Sequence, residues 1–147
     1  MFSSCFRMEK QMTSSQHFFM AFVPPTATKQ EHRISTQGGR VTMFPSASWA
    51  AAEDDLIAHL DKYRPKRPID GAVMLEATWC FPLSGHADGE PRVTKPDCDN
   101  LMKGLKDVMT LLGWWHDDAQ VFSETCTKVW SEIPGIRIDI DVVEVER

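Results

Sequence analysis

Five side chains between residues 95 and 120 have the types and spacing for phosphoryl chemistry. Asp97 and Asp99 stand two residues apart after Pro96, Lys103 follows four residues after Asp99, and a second acidic pair, Asp117 and Asp118, closes the stretch. Three or four carboxylates gathered around a lysine are the equipment of a metal-dependent phosphodiesterase. The carboxylate oxygens hold hard cations that polarise a phosphate and acidify water, and the lysine offsets charge building on the phosphoryl oxygens. Oxygen donors alone suit Mg²⁺, with Mn²⁺ as the alternative, better than Zn²⁺. An EF-hand calcium loop does not fit: it needs glycine and glutamate where a count from Asp97 gives Met102 and Val108.

The chemistry requires these groups to meet. Leu101, Leu105, Val108, Met109 and Leu112 form an apolar stripe at helical spacing, and Gly113 is the residue expected just past the helix end. Asp99 lies at the helix entrance, where free N–H groups and the helix dipole favour negative charge. If the segment after Pro96 is extended, Asp97 and Asp99 point the same way and Cys98 points away. Lys103 then stands one turn up from Asp99 on the same face. A helix over 101–112 is about 18 Å long, which leaves Asp118 at the wrong end. Extended chain from Gly113 to Asp118 spans about 16 Å. The expectation is therefore a fold-back in which Trp114 and Trp115 anchor the return and one of Asp117 and Asp118 arrives beside Asp97 and Asp99.

Each feature also has an ordinary structural reading. Asp99 alone would be a helix N-cap. Asp117 and Asp118 alone would be a polar turn, and Lys103 a solvated side chain partnered by Asp107. His116 reads as a surface or packing histidine, Cys98 as packing, and the two tryptophans as core. Asp139 and Asp141 alternate with isoleucines, so they read as a solvated strand face.

Around this stretch the chain is divided by its hydrophobic periodicity. Residues 1–16 show no sustained period and read as a loosely ordered leader, leaving 17–147 as a single domain. Residues 17–23 read as a short aromatic strand stopped by Pro24 and Pro25. A long polar loop over 26–45 holds Gly38 and Gly39 in a candidate hairpin, and carries Lys29, Arg33 and Arg40. Residues 46–63 read as a helix capped by Ser46 or Ser48 and ended by Pro65 and Pro68. Residues 71–81 alternate as a strand with one face packed, and 121–130 and 136–145 are further strands. This order predicts an α+β domain: a mixed sheet with helices packed on one face.

The 147 residues fit one core. No apolar run approaches the roughly 20 residues that cross a bilayer. No signal peptide is read, and the four cysteines show neither C-x-x-C spacing nor a paired framework, which favours reduced thiols and a cytoplasmic protein. The net charge of −5 weighs against nucleic-acid binding, but an aspartate-rich site lowers the sum, and Lys62, Arg64, Lys66 and Arg67 form a local basic run.

The residues Asp97, Asp99, Asn100, Lys103, Asp107, Gly113, Asp117, Asp118 and Gln120 follow the pattern D-x-D-N-x-x-K, an aspartate four residues on, then G-x-x-x-D-D-x-Q. Over these roughly 25 contiguous residues the chain resembles the RusA family of Holliday junction resolvases. Phe22, Val23, Pro24 and Pro25, the basic loop and the last strands fit that family more loosely. The resemblance implies an Mg²⁺-dependent endodeoxyribonuclease that cuts four-way DNA junctions as a homodimer in recombination and repair. It implies Asp97, Asp99 and Asp118 as metal ligands, Lys103 as an essential basic residue, and Asn100, Asp107, Asp117 and Gln120 as supporting residues. Paired nicks leaving 5′-phosphate and 3′-hydroxyl ends are the expected products. Two symmetric nicks call for two matched sites, which a two-fold dimer supplies. Lys29, Arg33, Arg40, Lys62, Arg64, Lys66 and Arg67 are the expected DNA contacts. Two other classes are a catalytically silent junction-binding module and a D-x-D metal-dependent nucleotidyl or glycosyl transferase. The intact acid–lysine set argues against the first, and the short chain without a glycine-rich phosphate loop against the second.

Overall fold

The computed structural model describes residues 12–29 and 32–145. Its elements are β1 (Met12–Met20), β2 (His32–Gln37), β3 (Arg40–Pro45), α1 (Ala47–Asp61), β4 (Ala72–Pro82), α2 (Cys98–Leu111), a short 3-10 turn (Asp118–Gln120), β5 (Val121–Ser131) and β6 (Gly135–Val143). Four strands form one sheet in the order β1-β6-β4-β5. The β4–β5 pair is parallel and the other two pairs are antiparallel. Parallel neighbours need a crossover, and the segment holding α2 supplies it.

Strand alternation decides which face is covered. On β4 Val73, Leu75, Ala77, Trp79 and Phe81 are buried, as are Ile136, Ile138 and Ile140 on β6. They share one core with Trp49, Ala52, Leu56 and Leu60 of α1 and with Leu101, Met102, Leu105, Val108 and Met109 of α2. Both helices therefore pack on the same sheet face, the α+β arrangement expected. They approach closely because position 104 is glycine: a Cβ there would stand 2.8 Å from the ring of Trp49. Asp139 and Asp141 face away from the helices. There Asp139 is bonded by His17 at 2.6 Å and by Arg137, and Asp141 accepts from Ser15.

β1 departs from expectation. It begins at Met12 rather than at residue 17 and ends at Met20, so residues 12–16 belong to the sheet and not to a leader. The sequence hides this because β1 is an edge strand with residues 12–15 exposed, so no apolar period marks its first half. Residues 1–11 lie outside the described residues.

The hairpin forms where Gly38 and Gly39 both take positive φ, +62° and +77°, as a two-residue turn with right-twisted strands requires. Ser46 caps α1, accepting from the Trp49 N–H at 3.0 Å. No described helix is long and apolar enough to cross a membrane.

Candidate active site

The helix carrying the acidic pair begins at Cys98, three residues earlier than its apolar stripe suggests. Asp97 is the N-cap, extended at φ −75° and ψ 150°, and its carbonyl accepts the first helical bond from Leu101 at 3.0 Å. Its side chain makes no capping bond. Asp99 already lies in the first turn of α2, so strand alternation between the two aspartates does not apply. Both carboxylates are exposed, as is Lys103 one turn further on. Cys98 turns inward, its Sγ 3.7 Å from the carbonyl of Cys126 on β5. Burial, then the neighbouring Cys98, pushes the Cys126 thiol pKa up. Among the described residues Asp97, Asp99 and Lys103 have no side-chain hydrogen bond or ion pair. Asp107, the expected partner of Lys103, instead binds Lys29 at 2.7 Å.

The chain does turn back after α2, but it stops short of the acidic pair. Gly113 takes φ +77°, and the Trp114 N–H bonds back to Met109. Trp114 and Trp115 are fully buried, Trp115 donating to Thr110 Oγ1 at 2.7 Å. The return runs antiparallel to α2: Thr110 lies beside Trp115, Lys106 beside Glu124 and Cys98 beside Cys126. The level of Asp97 is thus reached near Cys126, eight residues beyond Asp118. The five strand steps from Val121 to Cys126 alone cover about 16 Å. The expectation that Asp118 arrives beside Asp97 and Asp99 in its own chain is corrected on this ground. It assumed extended chain from Gly113, whereas that chain is spent on a turn and on the 3-10 turn. Consistently, no group of three or more His, Cys, Asp or Glu side chains among the described residues could hold a metal ion.

Asp118 stands instead at a second, separately built arm. Asp117 caps the 3-10 turn, accepting from the Ala119 N–H at 2.8 Å, while Asp118 is exposed and bonded to no described side chain. The Gln120 carboxamide ties this arm together. Its oxygen accepts from the N–H groups of His116 (2.8 Å) and Asp117 (3.1 Å), and its nitrogen donates to the carbonyls of Ile69 (2.7 Å) and Gly71 (3.0 Å). His116 pairs with Asp70 at 2.7 Å. A cavity of about 770 Å³ opens beside the arm, lined by Ile69, Asp70, Gln120 and Phe122 among others.

The basic residues expected at DNA fall into four groups. Lys66 and Arg67 are exposed on the turn that leads into Ile69, on the Asp118 side of the molecule. Lys62 closes α1, and Arg64 donates to the Leu112 carbonyl at 3.2 Å, capping α2. Lys29 is tied to Asp107. The side chains of Arg33 and Arg40 lie outside the described residues.

Two cations missed by sequence reasoning brace the first arm. Lys128 on β5 donates to the carbonyls of Thr94 and Pro96, both at 2.8 Å. Arg92 donates to Thr94 Oγ1 and to the Lys95 carbonyl. Lys128 lies in strand phase with Cys126 and with buried Trp130, and a lysine on the inward phase of a strand was the signal available.

In donor chemistry Asp97 and Asp99 suit a hard divalent ion: oxygen only, exposed and without competing partners among the described residues. In donor number one chain falls short, since the third carboxylate stands at the other arm.

Comparison with known proteins agrees with the motif. The family model for Endodeoxyribonuclease RusA matches residues 23–141. The chain is 43% identical over 126 residues to the crossover junction endodeoxyribonuclease rusA of Lactococcus phage r1t, covering 80% of this chain and 89% of that protein. It is 27% identical over 120 residues to the uncharacterized protein YqaN of Bacillus subtilis (strain 168), covering 74% and 84%.

Proposed function

The chain belongs to the RusA endodeoxyribonuclease family, and from that membership we propose that it hydrolyses phosphodiester bonds at four-way DNA junctions, resolving them by paired nicks during recombination and repair. The observation that carries the reading is the set Asp97, Asp99 and Lys103, exposed together at the start of α2 with no protein partner among the described residues. A buried or paired set would be structural; a set held open on a rigid helix is poised for a ligand.

The cofactor of this reading is Mg²⁺, or Mn²⁺ in its place. A divalent ion at such carboxylates supplies Lewis-acid stabilisation of the phosphate and a more acidic water. Lys103 contributes fixed positive charge where phosphoryl oxygens gain negative charge. Asp107 holds the basic loop to α2 through Lys29, and Gln120 holds the Asp118 arm.

The reading requires a homodimer for two reasons. Paired nicks need two matched sites. Asp118 also stands too far along α2 to join Asp97 and Asp99 of its own chain, so in this reading a second copy brings its Asp118 to the first copy's acidic pair. Lys66 and Arg67, next to the Asp118 arm, then come near the DNA with it. Lys62, Arg64, Arg33 and Arg40 complete the proposed DNA contacts, with Lys29 engaging once released from Asp107.

The test is a gel assay with labelled four-way, Y-shaped and duplex DNA, with Mg²⁺ and with chelator. The reading expects cleavage of the four-way form in Mg²⁺ only, and Asp99→Asn protein that binds but does not cut. Binding without cleavage by the unaltered chain would make it a silent junction-binding module instead.

A further inference from the structure

We propose that Lys128, seconded by Arg92, is a positioning residue of the nuclease reaction, setting the aim of Asp97 and Asp99 by fixing the chain that leads into them. This inference rests on the nuclease reading.

The segment from Glu90 to Pro96 has no regular structure beyond a single bridge between Pro91 and Val129. Three consecutive backbone carbonyls in it, those of Thr94, Lys95 and Pro96, are each taken by a cationic side chain: Lys128 holds the first and third, and Arg92 the second. Charge-assisted hydrogen bonds of this kind are about twice as strong as neutral ones. The braces are themselves fixed. The Arg92 guanidinium lies over the rings of Phe81 (4.2 Å) and Trp130 (4.6 Å), and the backbone N–H of Arg92 donates to the Lys128 carbonyl at 2.9 Å. Lys128 belongs to β5, whose register with β4 is set over ten residue pairs.

One peptide bond separates the held Pro96 carbonyl from Asp97. Neither Asp97 nor Asp99 has a side-chain partner among the described residues, so their direction is inherited from the backbone. The backbone direction in turn comes from the brace. Lys128 is paired with no described carboxylate, so carbonyl dipoles alone satisfy it and its charge remains beside the site.

The experiment uses the full chain and its Lys128→Met, Lys128→Arg and Arg92→Gln variants. It measures kcat and KM on a four-way junction in Mg²⁺, and junction affinity in chelator. Loss of an outer positioning partner typically costs about 10–100-fold. Lys128→Met is expected to lose that much in kcat, with KM and chelator affinity held within about threefold. Lys128→Arg, which can still donate to both carbonyls, is expected to recover most of the loss. Arg92→Gln is expected to show the same split at smaller size, and it carries the test should Lys128→Met fail to fold. An unchanged kcat in Lys128→Met, or in Arg92→Gln where that variant carries the test, overturns the proposal. So does a loss confined to junction affinity, which would make Lys128 a phosphate contact, or a Lys128→Arg variant as impaired as Lys128→Met. An unaltered chain that cuts no junction overturns the nuclease reading itself.

Discussion

Replacing Gln120 with alanine removes a side chain that ties the Asp118 arm to the start of β4 through two backbone carbonyls. Four hydrogen bonds disappear, but they do not weigh equally. The N–H groups of His116 and Asp117 are at exposed positions and regain water. The carbonyls of Ile69 and Gly71 are part-buried, and each lost bond there costs about 1 kcal/mol, or about 2 kcal/mol together. For a chain of this length that lowers the melting temperature by about 4–8 °C. Urea unfolding followed by tryptophan fluorescence suits the measurement, because Trp114 and Trp115 lie in the segment that Gln120 holds. Junction cleavage below the transition should also fall, since Asp118 loses its fixed place. A Gln120→Ala protein within about 0.5 kcal/mol of the unaltered chain would refute the reasoning.

Other perturbations probe separate parts of the account. Gly104→Ala gains about 1 kcal/mol in helix propensity but puts a Cβ 2.8 Å from the Trp49 ring, and overpacking costs about 1–3 kcal/mol. The net expectation is destabilisation by about 1 kcal/mol in chemical unfolding. Asp118→Asn should leave stability within about 0.5 kcal/mol, because the side chain is exposed and paired with no described residue, yet abolish cleavage in the gel assay. Chelation should stop cleavage by the unaltered chain and leave junction binding measurable by mobility shift. The Cys126 thiol holds its proton more tightly in the folded chain than in the unfolded one. Its contribution is therefore complete below the ordinary thiol pKa and is lost as pH rises above about 9, where the unfolded chain ionises first. Unfolding midpoints measured from pH 8 to 10 should fall, and Cys126→Ala should flatten that fall.

The parts of this molecule legible in the sequence are those governed by local pattern. The apolar stripe from Leu101 to Met109 marked α2, the Gly38–Gly39 pair marked the hairpin, and alternation on β4 and β6 marked the covered sheet face. The acidic and basic residues of the candidate site stand out in the sequence by type and spacing. What failed was distance: the reach from Gly113 to Asp118 depends on how many residues a turn consumes, and buried Trp114 and Trp115 consume them. The start of β1 failed because an exposed edge strand needs no apolar residues. Lys128 was missed because its partners are backbone carbonyls some thirty residues away, to which no side-chain motif points.

In the proposed dimer Asp97 and Asp99 work with the Asp118 of a second copy. Asp97→Asn protein and Asp118→Asn protein, each inactive alone, can be mixed, allowed to exchange subunits and assayed on a labelled four-way junction. If sites are shared between copies, the mixed dimer contains one site with both substitutions and one with neither, so nicking of a single strand returns. If each copy builds its own site, both sites in the mixed dimer carry a substitution. Mixed dimers that form and bind the junction but cut nothing would contradict the account.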